Sequence, residues 1–356
     1  MSSVFSLLQE MVENYLLCPS CGSDHLAIEK FNTEAEKESG IVWCMGCKLW
    51  YRIENGLLEF LVPSLRDQAK LKSFESRYAY QIGENNFAAG EGGWGDEYKL
   101  GQKSYYDEDA LPYETEMLQL SFWKAIDADF LERLKIESQG ARTLLEVGCG
   151  SGRISIPAYP AFDRVIGFDI SESMVRTAIR KRSQIAHSEN KIFYFLGDAE
   201  NIPLRNSKVD FAVFYGILHH LEKPEKSIKQ MQRILKPGAS FLGLENNRSI
   251  FRPVFDLFMR LKKIWNEKAH EEHFIMSRQE IDRWIRDAGF SASIWTSVFL
   301  PPHVLNWFPP PQARQLLRLT DAVCKAFPRL RDQGGLVLFS GSSGECVRGD
   351  MNGLDT

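Results

Sequence analysis

The stretch "TLLEVGCGSGRIS", residues 143–155, decides how this chain of 356 residues is read. A short apolar strand runs into a loop with glycine at positions 148, 150 and 152. In a strand–loop–helix crossover, glycines let the backbone come close to a ligand, and the next helix offers unpaired N–H groups. The loop therefore suits a nucleotide-like ligand. The dinucleotide fingerprint G-x-G-x-x-G does not fit, because Arg153 stands where its third glycine belongs. The match is to E/D-x-G-x-G-x-G, with Glu146 at the strand's end.

Any tight βα turn uses glycine, so the neighbouring segments carry the weight. "VIGFDIS" (165–171) ends a second strand at Asp169, where a carboxylate can accept hydrogen bonds from both ribose hydroxyls. "GDAENIPL" (197–204) sets Asp198 and Ala199 after a third strand, where an acid can take an adenine amino proton. "VDFAVFYGILHHL" (209–221) reads as the fourth strand, and "ILKPGASFLGLE" (234–245) as the turn into the fifth. Alternating strands and helices imply βαβ units on a mostly parallel sheet, an α/β fold. Ser277 and Glu280 have capping-box spacing before a helix that ends at Gly289. "SASIWTSVFL" and "GGLVLFSG" are the last two strands, separated by a helical insert over 301–331.

With these five ordered matches the chain resembles the class I S-adenosylmethionine-dependent methyltransferases, especially those acting on quinones and small molecules. The resemblance covers residues 141–340. It implies a Rossmann-like sheet of seven strands, the final one antiparallel, with the donor lying across the strand ends. By position it places Glu146 at the donor's amino-acid end and Gly148, Gly150 and Gly152 along its backbone. Asp169 would hold the ribose, Asp198 and Ala199 the adenine, and Tyr215 the wall beside the sulfonium. Cys149, Ile170 and Met174 complete the expected donor-binding set. The plainer readings are that Cys149 is a small buried spacer and that Met174 packs its helix onto the sheet. "PGAS" departs from the family in having Ala239 where a second glycine is commoner.

A sulfonium methyl is already electrophilic, so the protein has mainly to align the reactants and exclude water. An oxygen or acidic-carbon acceptor also needs a base, and histidine is the natural candidate. His219 and His220 follow the fourth strand at the carboxyl edge and are the expected catalytic pair. Alternatively one lines the pocket and the other caps a helix. His270 and His273, in "KAHEEHFIMS", are expected to line the substrate, as are Tyr105 and Tyr106 in "KSYYDEDALPYE". A metal site built from His270, Glu271 and His273 is set aside, because H-x-x-H alone brings no further ligands.

A second signal lies near the amino terminus. "LLCPSCGSDHL" and "IVWCMGCKLWYRIENGLLEF" supply Cys18, Cys21, Cys44 and Cys47 as two C-x2-C pairs with twenty-two residues between them. This is the spacing of tetrahedral Zn(II) held by four thiolates, with no position left open, hence structural. Rubredoxin-type iron is the alternative. The flanks resemble the short zinc-ribbon module of methyltransferase partner proteins. His25 reads as an exposed turn residue.

Bulk composition is that of a globular protein, 44% hydrophobic and 25% charged, with net charge −4. It offers no global attraction to nucleic acid, and the module has few basic residues beside Glu34, Glu36 and Glu38. No apolar run is long enough to cross a bilayer, and the amino terminus lacks the basic start of a signal peptide. Paired cysteines without a disulfide framework suit a reducing, cytoplasmic setting. The expected segments are a zinc-ribbon module (1–62), a helical cap (63–140), the methyltransferase domain (141–340) and a disordered tail (341–356). The glycine-rich patch "AAGEGGWG" (88–95) reads as a mobile loop.

In "FLPPHVLNWFPPPQARQLLRLTDAVCKAF" (299–327), Leu316, Leu319, Val323 and Phe327 have helical spacing. Core packing is the first reading; an apolar mouth for an isoprenoid-like acceptor, with Trp307 and Phe308, is the second. "FRPVFDLFMRLKKIW" (251–265) would suit a pocket lid or a peripheral membrane contact. The leading expectation is methyl transfer to a small-molecule or lipid-like acceptor. The rivals are an RNA base methyltransferase using the ribbon to hold RNA, and a non-catalytic donor-binding scaffold docking a protein partner through the ribbon.

Overall fold

The computed structural model describes residues 3–31, 38–83, 87–90, 97–251, 253 and 276–343. In chain order it begins with α1 (Ser3–Asn14), β1 (Leu26–Lys30), β2 (Gly40–Cys44), β3 (Trp50–Glu54) and β4 (Leu57–Glu59). Next come α2 (Gln68–Arg77), α3 (Glu97–Thr115) and α4 (Ser121–Glu137). The alternating part follows as β5 (Thr143–Val147), β6 (Arg164–Asp169), α5 (Glu172–Ser183), β7 (Ile192–Leu196) and β8 (Val209–Tyr215). The remainder is α6 (Pro224–Ile234), β9 (Leu235–Asn246), α7 (Arg278–Asp287), β10 (Ser291–Ser297), α8 (Pro310–Lys325) and β11 (Leu336–Ser342).

These elements form two compact units, neither continuous in sequence. The first joins Met1–Ala110 with Arg142–Lys208. Its strands run in the order β1-β2-β3-β4-β7-β6-β5. β1 to β4 are an antiparallel meander closed by Asn55 and Gly56, both at positive φ, the two-residue turn that matches strand twist. β4 then pairs in parallel with β7, Leu58 opposite Phe195 and Glu59 opposite Leu196, so the ribbon continues the sheet. β5 and β7 are buried throughout, the pattern of parallel strands covered on both faces. α2 lays Leu71 and Phe74 on Phe31, Trp43 and Trp50 of the ribbon. α1 buries Leu8, Met11 and Val12, and Arg164 grips both oxygens of Glu10 at 2.6 Å.

The second unit joins Leu111–Ala141 with Val209–Thr356, its strands in the order β8-β9-β11-β10. β8 and β9 are parallel; β11 is antiparallel to both its neighbours, as expected of the final strand. Phe339 faces Gly243 and Phe241 faces Gly341 across this ladder, and a Cβ on either glycine would lie 2.0–2.3 Å from the opposing ring. Only glycine fits there. The seven expected strands are β5 to β11, and the four ribbon strands bring the described total to eleven.

Several expectations need correction. The helical cap expected over 63–140 is interrupted: Leu120 is extended, and α4 begins where the Asn306 side chain accepts the Phe122 N–H at 2.8 Å. Ala88 does not sit in a free loop; its backbone exchanges hydrogen bonds with Lys48 and Trp50, while 91–95 lie outside the described residues. Gly341 and Ser342 belong to β11, so the tail does not begin at 341; 344–356 lie outside the described residues. On α8 the buried positions are Ala313, Leu317 and Asp321, whereas Leu319 and Val323, and Phe327 just past its end, are exposed. Arg314 and Arg318 turn the helix this way by pairing with Asp129 and Glu132 of α4. The capping box at Ser277 and Glu280 forms as expected.

Candidate active site and metal centre

In the first unit the loop after β5 takes positive φ at Gly148, Gly150 and Gly152, which a side chain would resist. It is anchored at both sides. Glu146, buried, accepts the Ser155 N–H at 2.9 Å, and Asp169 accepts the Gly150 N–H at 2.9 Å and the Ser171 N–H at 3.0 Å. Burial pushes the Glu146 carboxyl up to about 7, and Asp169, also desolvated, is raised. Carboxylates held this way are starved of positive charge, which a cationic ligand would supply. Cys149 is buried between them, and burial together with both acids drives its thiol well up. It stays protonated, which agrees with a spacer and not a nucleophile.

Met174 is buried on the inner face of α5, and Ile170 is half-buried in the turn before that helix. Asp198 has both oxygens engaged: Oδ1 accepts the Glu200 N–H at 2.8 Å, and Oδ2 meets the Lys99 ammonium at 2.9 Å. Ala199 beside it is buried. α3 makes a second contact where Asp107 accepts the Ser171 hydroxyl at 2.7 Å and the Ser173 N–H at 3.0 Å. Tyr105 and Tyr106 of the same helix are half-buried, their rings edge-on at 5.0 Å. Lys99 and Asp107 escaped sequence reasoning because nothing in a polar helix marks the turn that meets a loop tens of residues away.

In the second unit, Tyr215 at the end of β8 donates to Asp127 at 2.5 Å and packs edge-on against Phe130. Just beyond it, His219 Nδ1 lies 2.6 Å from Glu245 Oε2, and the other oxygen of Glu245 accepts the Leu218 N–H at 2.6 Å. Glu245 is fully buried. The His219 and His220 rings lie 3.8 Å apart, tilted by 43°, and His219 is the one whose carboxylate partner sits at the end of β9. Glu245 ends "SFLGLE", and an acid at the carboxyl end of a strand is the signal that could have found it. His270 and His273 lie outside the described residues.

The four cysteine sulfurs of the ribbon lie within 4.8 Å of one another, with Cys18–Cys47 and Cys21–Cys44 each at 3.6 Å. A zinc tetrahedron with metal–sulfur bonds of about 2.3 Å needs sulfurs about 3.8 Å apart, so the set fits. The two knuckles are built alike. Gly22 N–H bonds to Cys18 O, and Lys48 N–H to Cys44 O, with Gly22 and Lys48 both at positive φ. Tyr51 adds its hydroxyl 3.1 Å from Cys18 Sγ. His25 is exposed, as expected.

Residues 145–243 match the family model described as a methyltransferase domain, and the chain carries such a domain. Among relatives, it is 24% identical over 196 residues to an uncharacterized protein of Methanocaldococcus jannaschii, spanning 55% of this chain and 80% of that one. It is 29% identical over 137 residues to a ubiquinone/menaquinone biosynthesis C-methyltransferase of Haemophilus ducreyi. That match covers 36% of this chain, which spans about half (51%) of the relative's length. A solved S-adenosylmethionine-dependent methyltransferase of Thermotoga maritima, a possible histamine N-methyltransferase, is 20% identical with a TM-score of 0.48, covering 68% of this chain and 99% of its own. Among the described residues no helix is long and apolar enough to cross a membrane.

Proposed function

We propose that this protein transfers a methyl group from S-adenosylmethionine to a small-molecule or lipid-like acceptor. The observation that carries the reading is the pair of carboxylates, buried Glu146 and half-buried Asp169, holding the glycine loop between them inside the matched domain. Glu146 is assigned the donor's ammonium end, the glycine loop with Cys149 its backbone, and Asp169 with Ile170 the ribose. Asp198 and Ala199 take the adenine, Met174 shapes the wall from α5, and Tyr215 borders the sulfonium.

His219 is assigned the base. A carboxylate on Nδ1 fixes the tautomer and leaves the basic lone pair on Nε2, while steadying the imidazolium that proton uptake creates. His220, beside it, is assigned a lining role. The ribbon is assigned one structural Zn(II), which suits a cytoplasmic setting where thiols stay reduced. The match to a quinone methyltransferase and the exposed apolar stripe of α8 favour a hydrophobic acceptor.

The test is incubation with methyl-labelled donor and cell extract separated into lipid, small-molecule, RNA and protein fractions. Label in the lipid or small-molecule fraction, abolished by H219N, supports the assignment. Label in RNA would move the reading to nucleic-acid modification, and no label anywhere, with donor bound, to a scaffold.

A further inference from the structure

We propose that Arg52, in the cysteine ribbon, is a positioning residue for the donor site: it fixes the first turn of α5 and through it the Asp169 carboxylate. The inference rests on the reading of Asp169 as a donor ligand. Arg52 lies on β3 with its side chain 3% exposed. Its guanidinium meets three carboxylates, Glu59 at 2.8 Å, Glu54 at 2.7 Å and Glu172 at 3.2 Å. The first two belong to the ribbon. The third is in the opening turn of α5, 120 residues further along the chain.

Glu172 is gripped from three directions. Lys70 of α2 reaches the same oxygen at 2.9 Å, and Arg176, one turn on, holds the other at 2.7 Å. Burial alone would raise its carboxyl, but these cations with Arg52 hold it down at about 2. Immediately before it, Ser171 caps the helix by accepting the Met174 N–H and donates its own N–H to Asp169 Oδ1. Asp169, Ser171 and Glu172 thus form one short turn whose far end is bolted to the ribbon.

Register points the same way. Glu59 on β4 lies opposite Leu196 on β7, and Leu196 lies opposite Asp169 on β6. Arg52's principal partner and the ribose carboxylate stand on one rung, two strand spacings or about 10 Å apart. A buried charge cluster is a poor way to gain stability, since apolar side chains of similar volume often do as well. What it supplies is directional fixation, and here the fixed object is the turn that aims Asp169.

The experiment is calorimetric titration of the full chain with S-adenosylhomocysteine, each variant first shown folded by urea unfolding. R52M and E172Q are each expected to weaken binding about tenfold, within the range over which residues without ligand contact modulate a site. The R52M/E172Q double variant is expected to be no weaker than either alone, because both cut one connection. E10Q breaks the Arg164 bridge at the opposite end of β6. It should lower the urea midpoint while leaving the affinity unchanged, as a merely structural effect would. Should R52M fail to fold, the near-isosteric E172Q carries the test. Wild-type affinity in E172Q, alongside lost binding in D169N, overturns the proposal. Wild-type affinity in D169N would instead overturn the donor-site reading beneath it.

Discussion

Asp198, which the proposed function assigns to the adenine, already accepts the Glu200 N–H on one oxygen and meets the Lys99 ammonium with the other. In the proposed site an adenine amino group would compete with Lys99 for the Asp198 carboxylate. Lys99→Met should therefore tighten S-adenosylhomocysteine binding by about three- to tenfold, the net worth of one hydrogen bond. Weaker binding in that variant would mean the lysine helps to hold the ligand. Glu146 gives a pH dependence. Its folded pKa of about 7 lies above the ordinary carboxylate value, so the folded state binds the proton more tightly than the unfolded chain. The resulting contribution is present in full at low pH and is lost as pH rises through 7, on the order of 3 kcal/mol at most. Asp169 is raised as well and acts with the same sign. A donor ammonium favours the ionised acid, so binding should strengthen over the window in which the ligand-free protein weakens. Calorimetry and urea unfolding on both sides of neutrality, repeated with E146Q, check the two trends; flat curves in the wild type would refute them. Glu146 and Asp169 were legible because an acid at a strand end beside a glycine loop is a local pattern. Lys99 and Asp107 were not, because their partners are set by the path of α3.

Among elements, the ribbon's cysteine cluster was readable in the sequence but its attachment was not. C-x2-C twice at the right interval is a local signature, and the sulfurs do converge. That β4 would pair with β7 could not be read, because the bond is made by backbone groups that every strand possesses. Metal analysis should return one zinc per chain. Cys44→Ser or chelation should strip it and unfold β1 to β4, given that zinc contributes about 10–16 kcal/mol in isolated finger peptides. Hydrogen exchange at Ile41 to Trp43 and at Trp50 to Ile53 reads the loss directly. Unchanged protection in a metal-free sample would dismiss a structural ion. α8 carries the opposite lesson. Leu319, Val323 and Phe327 share a helical spacing that suggested burial, yet the helix is rolled by Arg314 and Arg318 toward the acids of α4. Periodicity locates a stripe and says nothing about which partner claims the helix.

For the molecule as a whole, the segments read from the sequence are contiguous, but the compact units are not. The order of strands β5 to β11 was readable because each βα step is local. The grouping of residues 1–110 with 142–208 was not, since it depends on a pairing between β4 and β7 across more than a hundred residues. A chain lacking residues 1–62 would bare the β7 edge and the apolar surface beneath the ribbon. Such an edge recruits other chains. The truncated protein should elute as aggregate on size exclusion where the full chain does not; a well-behaved monomer would show the ribbon to be dispensable.

That same pairing sets a timetable for synthesis. The cysteine knuckles are complete early, built from contacts close in sequence, so four sulfurs able to hold an ion come together while the nascent chain is still short. β4 then waits, its outer hydrogen-bonding groups uncommitted, until the ribosome has delivered β7. Over that interval, the step most exposed to misassembly is a single unfinished border, and a metal held by the four cysteines would keep that border in shape.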